Sequence, residues 1–382
     1  MTEFDYTKAL RVLSRGVAVD LDRLLATACT PAWDPLVYLA DFSRQLLLPL
    51  GPGAPDEPVA GTLPGRVFAT GRTEVAAHGG SARVWVPVLE QTSRVGVLAV
   101  SVPEATEEMI SQAELLGIFA GLVVAGLGQV SDIPRIRRQG QRMSLPASMQ
   151  WDLLPPWTVR VPGATIAGIL EPAYDIAGDA YDYSDGHGVL NFGVIDGMGH
   201  GIGATLLAGL AVGAYRHARR AGAPLPQVHE AIDEAIASSY DDLSFVTGLI
   251  GTLTISSGRL DWTCAGHPPP LLLRGERIVG ELDCQNTLPF GLGAGAAPVS
   301  SCDLQPGDAV LFYTDGVIEA HAPGGEQFGL GRLIRAFERE SAGGYQPEEL
   351  LRALVTEVLG HHEGGLRDDA TLLLVRWTGR RA

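Results

Sequence analysis

Between Trp157 and Trp377 the chain consists mostly of short apolar runs closed by turn residues, and this pattern restricts the fold more than any other feature. Thr165–Leu170, Val189–Ile195, Ser244–Ser256, Arg259–Ala265, Leu271–Arg274, Ala309–Tyr313 and Thr371–Trp377 alternate or run apolar, which predicts strands. Ser256, Ser257 and Gly258 place a hairpin between two of them. Helices are predicted only at Gly203–Arg220, Leu225–Ser239 and Pro347–Leu359. Many hairpin strands with few helices argue against a doubly wound parallel sheet and for an α+β layered sandwich.

Residues 1–128 read as a separate, smaller mixed domain. Val84–Pro87, a break at Gln91–Ser93 and Val95–Val100 predict an antiparallel pair, and Ser111–Gly128 predicts a closing helix. Residues 129–156 read as a linker, with Arg135, Arg137, Arg138 and Arg142 between Pro134 and Gly140. A short helix follows in SLPASMQWDLLPP, with Ser144 as N-cap, Pro146 in the first turn and Pro155–Pro156 as the stop. Leu145, Met149 and Leu153 share one face of that helix, an apolar stripe expected to meet a neighbouring domain or its own copy in a homodimer.

Charge narrows the partners. The 28 basic against 44 acidic side chains give a formal charge of −16, which disfavours nucleic acid and anionic membranes and makes a cation an attractive ligand wherever acids converge. Two uncharged stretches, Leu115–Ser131 and Gly197–Tyr215, approach the roughly 17 to 20 residues needed to span a bilayer. Both are broken by glycines and are expected to be buried helices, in a soluble, cytoplasmic protein without a leader peptide. Cys29, Cys264, Cys284 and Cys302 lie far apart with no C-x-x-C pair, and suggest neither a disulfide framework nor a thiolate zinc site.

The chemistry-bearing signal is a set of aspartates at strand edges or beside glycine. Asp179 follows Gly178, Asp196 ends VLNFGVID before Gly197, Asp315 follows VLFYT, and Asp368 and Asp369 open the last strand. Two carboxylates about 4 Å apart repel by roughly 4 kcal/mol at an effective dielectric near 20, so four in one pocket need a counter-ion. Oxygen donors without a His/Cys set favour Mg2+ or Mn2+. Spacing alone does not bring these residues together. Gly199-x-Gly201-x-x-Ala204 has the outline of a dinucleotide fingerprint, but Asp196 stands where a pyrophosphate would approach, and the basic stretch Arg216–Pro224 downstream offers no acid for a ribose.

Taken in order, Pro172…Ile176-Ala-Gly-Asp179-Ala-Tyr-Asp, Val194-Ile-Asp196-Gly-Met-Gly-His-Gly201, Phe245-Val-Thr247, Cys264-Ala-Gly-His-Pro-Pro-Pro270, Pro306-Gly-Asp308, Tyr313-Thr-Asp315-Gly-Val-Ile-Glu319, Phe328-Gly329 and Asp368-Asp-Ala-Thr371 carry a resemblance. Residues 157–378 resemble the PPM-type, metal-dependent protein serine/threonine phosphatases of the bacterial SpoIIE/RsbU-like branch. Ala177 departs from the pattern, where the family usually has a second glycine.

The resemblance implies an αββα sandwich with two Mn2+ or Mg2+ ions between its sheets. Asp196 would bridge the ions, the Gly197 carbonyl would bind one of them, and Asp315 and Asp368 would complete the coordination of the second ion. Asp179 would orient waters or ligate directly, and Asp369 is the weaker candidate. The implied reaction is hydrolysis of phosphoserine or phosphothreonine by metal-activated water, with no general acid assigned between His200 and His267. By the same resemblance the substrate would be a phosphorylated anti-anti-sigma (STAS-like) protein. Residues 1–128 resemble more loosely a GAF-like α/β sensory domain, through Pro64-Gly-Arg-Val-Phe68, Arg83–Pro87 and Arg94–Val100, which would receive a small-molecule or protein signal. The rival readings are a non-enzymatic GAF-type sensor that docks a partner through a phosphatase-like fold, and a two-metal phosphodiesterase or nuclease.

Overall fold

The computed structural model describes residues 5–13, 21–29, 33–78, 80–171, 174, 178–240, 244–293, 295, 297–322, 324–361, 366 and 368–379. The chain divides into two compact units, Met1–Arg142 and Met143–Ala382, so the stretch 129–156 is shared between them. Of the quoted motif residues, Pro172, Ile176 and Ala177 lie outside the described residues.

The first unit runs α1 (Tyr6–Leu13), α2 (Leu21–Ala28), β1 (Leu36–Ala40), β2 (Leu46–Pro49), β3 (Glu57–Pro58), α3 (Leu63–Thr70), β4 (Glu74–His78), β5 (Ser81–Glu90), β6 (Ser93–Val102), α4 (Glu107–Gly128) and α5 (Ile133–Arg137). Its antiparallel sheet has the order β3-β2-β1-β6-β5-β4. The predicted strand pair is the β5/β6 hairpin, with Val84 opposite Val100 and an irregularity at Val88/Leu89. Between β1 and β2, Asp41 Oδ1 accepts from the Gln45 and Leu46 amides at 2.8 Å each, which closes that turn.

Helix α4 is capped by Thr106, whose side chain accepts from the Met109 amide, and Glu107 and Glu108 lie in its positive first turn. Ala113, Leu116, Ala120 and Val124 bury one side against Val84, Val86 and Val88. A Cβ on Gly121 would stand 1.9 Å from the Leu89 carbonyl oxygen, so only glycine lets the helix rest on the β5 backbone. The expectation of a buried helix holds for this side alone. Leu115, Ile118 and Leu122 on the other side are exposed, and by length and composition α4 could also cross a membrane.

The second unit runs α6 (Leu145–Leu153), β7 (Thr158–Val161), β8 (Ala164–Glu171), β9 (Asp179–Gly186), β10 (Val189–Gly197), α7 (Ile202–Arg220), α8 (Leu225–Ser239), β11 (Val246–Thr254), β12 (Arg259–Ala265), β13 (Leu271–Arg274), β14 (Arg277–Glu281), β15 (Asn286–Thr287), β16 (Ser300–Asp303), β17 (Ala309–Tyr313), α9 (Asp315–Ile318), α10 (Gly329–Ala342), α11 (Pro347–His361) and β18 (Ala370–Trp377). One sheet has the order β15-β12-β11-β10-β9 with β16 also on β12, and the other β14-β13-β17-β18-β8-β7.

Three cores stack these elements into α–β–β–α layers. Alternation does the sorting, because successive strand residues point to opposite faces. In β10, Leu190, Phe192 and Val194 face the other sheet, where Phe192 meets Phe312 of β17 at 4.8 Å between ring centroids. Ile195 joins the outer core with Leu207, Ala211 and Tyr215 of α7 and Ile232 and Ile236 of α8. Leu372 and Leu374 of β18 turn outward to Leu333 and Phe337 of α10 and Leu350 and Leu354 of α11. The layered sandwich expected from the strand pattern is the observed architecture.

Helix α6 starts as predicted, with the Ala147 amide donating to Ser144 Oγ at 3.2 Å. Its predicted apolar stripe is not uniform. Leu145 is exposed, Met149 and Leu153 are half-buried, and Leu153 Cδ1 would lie 3.5 Å from a Cβ on Gly209 of α7. The side that packs most deeply carries Ala147 and Gln150.

Candidate functional site

The two sheets bring the predicted aspartates to one rim. Asp179 opens β9 and Asp196 nearly ends β10, and the antiparallel register sets them directly opposite each other. The Asp179 amide donates to Asp369 Oδ2 at 3.1 Å, joining the first sheet to the loop before β18 in the second. Asp369 in turn donates its amide to Asp368 Oδ1 at 2.9 Å. Asp315 follows β17, β18's neighbour, and starts α9 rather than ending a strand. A Cβ on Gly316 would fall 2.0 Å from the Asp369 carbonyl oxygen, so glycine is what lets the Asp315 turn lie on the Asp369 backbone.

Threonines and one glutamine hold the acids. Thr314, fully buried, donates through Oγ1 to Asp179 Oδ2 at 2.7 Å and accepts from the Thr371 amide at 3.0 Å. Gln150 Nε2 reaches from α6 to both the Asp179 carbonyl at 2.7 Å and Asp369 Oδ2 at 3.0 Å. Thr247 Oγ1 lies 3.5 Å from Asp196 Oδ2 and 3.3 Å from His267 Nδ1. Sequence reasoning quoted Thr247 and Thr314 only inside motifs and read Gln150 only as part of an apolar helix. A polar residue at 150, three positions after the inward-facing Ala147, was the available signal.

Electrostatics register the crowding. Burial, then the charges of Asp315, Asp368 and Asp369, push the Asp196 carboxyl up to about 7. Asp179 is raised well above the usual carboxylate range by burial, then by Asp196 and Asp369. Burial pushes Asp369 up to about 6 despite its hydrogen bonds. Asp368 is also raised by burial, then by Asp315, with His200 opposing. His267 is buried and pushed down to about 4 by that burial, so it is neutral near pH 7, whereas His200 is exposed at the rim.

A divalent ion fits this donor set in kind. All the candidate groups are hard oxygens, protonation is the alternative way to relieve their repulsion, and Asp369 Oδ1 is buried with no hydrogen-bond partner among the described residues. As they stand, no three His, Cys, Asp or Glu side chains among the described residues are close enough to hold an ion.

This α–β–β–α sandwich with a carboxylate rim is the PP2C phosphatase fold. The SiaA PP2C domain of Pseudomonas aeruginosa superposes with a TM-score of 0.50 and 20% identity, over 60% of this chain and 94% of that one. The family described as Stage II sporulation protein E (SpoIIE) matches residues 186–378, half of the chain, and the chain belongs to that family. The match includes Asp196, Gly197, Asp315, Asp368 and Asp369 and begins just after Asp179.

Among curated relatives, Protein IcfG of Synechocystis sp. is 27% identical over 266 residues, which are 61% of this chain and 39% of IcfG. Phosphoserine phosphatase RsbU of Bacillus subtilis is 23% identical over 242 residues, 61% of this chain and 69% of RsbU. The alignment thus spans well under half of the first relative and about two thirds of the second.

Proposed function

We propose that the second unit hydrolyses phosphoserine or phosphothreonine on a partner protein, using two Mn2+ or Mg2+ ions. The observation that carries this reading is the gathering of Asp179, Asp196 and Asp369 at one rim with raised carboxyl pKa values, under the charges of Asp315 and Asp368. Asp196, the Gly197 carbonyl, Asp315 and Asp368 would hold the ions, with Asp179 alongside and Asp369 behind it. When bound, such ions supply a water acid enough to attack near neutral pH and positive charge to meet the phosphoryl oxygens.

The chain's own residues fix the donors. Thr314 keeps one Asp179 oxygen in place, and Gln150 ties Asp179 to Asp369, so neither carboxyl group can turn away from the rim. Stiff strand ends matter because phosphoryl transfer is accelerated mainly by positioning and electrostatics.

The proposed substrate is a phosphorylated anti-anti-sigma (STAS-like) protein, supported by the similarity to RsbU, itself a phosphoserine phosphatase. The charge of −16 weighs against the nuclease reading. The first unit is proposed as the GAF-like sensory part. Phosphate release from a phosphoserine protein in Mn2+, with chelator and Asp196→Asn as controls, tests the assignment. Equal release by wild type and Asp196→Asn, or none from wild type under any metal, would sink it.

A further inference from the structure

Helix α7 is apolar on two sides, and only one of them is inside. Ala204, Leu207, Ala211 and Tyr215 pack into the outer core with Ile195 and Ile232. Ile202 and Leu206, four positions apart and so on one face of the helix, point the other way and are 50% and 47% exposed. Met198, in the loop that enters the helix, is 40% exposed. Scattered apolar residues at a surface are ordinary, but these three begin two positions after Asp196, in a stretch, Gly197–Tyr215, that holds no Asp, Glu, Lys or Arg.

Backbone contacts tie this stripe to the carboxylate rim. The Gly197 amide donates to the Gly178 carbonyl at 3.0 Å and the Met198 amide to the Phe245 carbonyl at 3.2 Å, which fixes the loop. A Cβ on Gly197 would stand 2.7 Å from the Ala204 carbonyl oxygen, so the loop rests on the inner side of the same turn that carries Ile202 and Leu206 outside. A helix with its side chains is about 10 Å across, so the stripe is one helix width, or about three residues of extended chain, from Gly197.

We propose that Met198, Ile202 and Leu206 form the docking surface for the phosphoprotein substrate, and that they select a phosphoserine or phosphothreonine flanked within about three residues by aliphatic side chains. The inference rests on the phosphatase reading and adds the recognition that reading leaves open. A phosphoryl group held at Asp196 and Gly197 brings its flanking residues within reach of the stripe. Aliphatic flanks gain most there, since water leaves both apolar surfaces on contact. Acidic flanks add repulsion at a rim that already gathers Asp196, Asp315, Asp368 and Asp369, and basic flanks find no carboxylate between Gly197 and Tyr215 to pair with.

The test uses the full chain in Mn2+ and two phosphoserine peptides that differ only in carrying leucine or serine at the second to fourth positions on both sides. The wild type is expected to favour the leucine peptide about tenfold in kcat/KM, through KM rather than kcat. Ile202→Gln combined with Leu206→Gln, at exposed positions where glutamine keeps the helix, is expected to bring that ratio to about one by raising KM for the leucine peptide alone. Release from p-nitrophenyl phosphate, too small to reach the stripe, reports whether the rim is intact in the variant. Val279→Gln, at a comparably exposed residue on the edge strand β14, is expected to keep the preference. A wild type that treats the two peptides alike, or a double variant that retains the preference, overturns the proposal. So does a double variant whose only change is a fall in mass by light scattering, which makes the stripe a contact between copies of the chain. A wild type that releases phosphate from none of the three compounds defeats the phosphatase reading instead. Fluorescence anisotropy of the labelled leucine peptide then decides the docking surface: binding lost in the double variant supports it, and binding that is absent or equal in both proteins overturns it.

Discussion

The Asp179 amide and the Asp369 carboxylate meet at 3.1 Å across 190 positions of sequence. The contact links the first residue of β9 to the loop before β18, and both side chains are almost fully buried. Each carboxyl group raises the cost of ionising its neighbours, and the four raised carboxyl groups record this. Several measurable properties depend on that crowding.

Asp196→Asn is expected to lower phosphate release by more than about a hundredfold. In chelator it should also raise the melting temperature at alkaline pH. The folded carboxyl is raised to about 7, against about 3.9 in an unfolded chain, so its stabilising contribution is complete below about pH 3.9 and is lost as pH rises through 7. Calorimetry should find the variant on the order of 5 °C above wild type at pH 8 and equal to it at pH 4. A lower melting temperature at pH 8 would contradict the crowding.

Mn2+ competes with protons for the same oxygens. Its affinity, measured by titration calorimetry, should be higher at pH 8 than at pH 5.5, because ions displace the protons that Asp196 and Asp369 retain at the lower pH. At a hundred times its dissociation constant the metal should stabilise the fold by about 2.7 kcal/mol. Affinity independent of pH would mean that these carboxyl groups are not the ligands.

Gln150→Ala removes both hydrogen bonds from α6 to the rim. Metal affinity or turnover should drop about 10- to 100-fold, the usual effect of losing a group that orients ligands. Turnover measured against Mn2+ concentration separates the two outcomes, and an unchanged curve would show that α6 plays no part.

Gly316→Ala drives a methyl group against the Asp369 carbonyl, with backbone on both sides and no flexible side chain to yield. A loss of about 3 kcal/mol, or failure to accumulate as folded protein, is expected and is read by urea denaturation.

Two buried histidines act in the opposite pH direction. His229, held between Thr263 and Thr287, and His267 are both pushed down to about 4 by burial. Their contribution is complete above about pH 6.5 and is lost as pH falls towards 4. With Mn2+ bound the carboxylates no longer favour acid, so the loaded protein should lose stability steadily from pH 6.5 downward. His229→Gln should flatten that slope.

Strands that alternate or run apolar were legible, and β12, β13 and β17 run as their sequences suggest. Strand β9 was not, because DAYDYSDG looks polar. Its Asp182 is buried by ion pairs at 2.8 and 2.9 Å to Arg216 and Arg219 of α7, partners that local sequence does not display. Helix α10 was missed as well, since its first turn carries Gly329 and Gly331 and its apolar face holds few residues among charges. The candidate aspartates could be named from their strand-edge positions, but their meeting depends on cross-sheet contacts through Thr314 and Gln150 that no spacing encodes.

Asp179 and Asp196 sit on one sheet, whereas Asp315 opens the helix that follows β17 of the other sheet and Asp368 and Asp369 lie in the loop that leads into its β18. Anything that draws the two groups of acids together therefore acts on the separation and tilt of the sheets themselves. In a sandwich built this way, cofactor content and stiffness are a single variable. A loaded molecule and an empty one should differ in how slowly amide hydrogens exchange along the rim, with no substrate present.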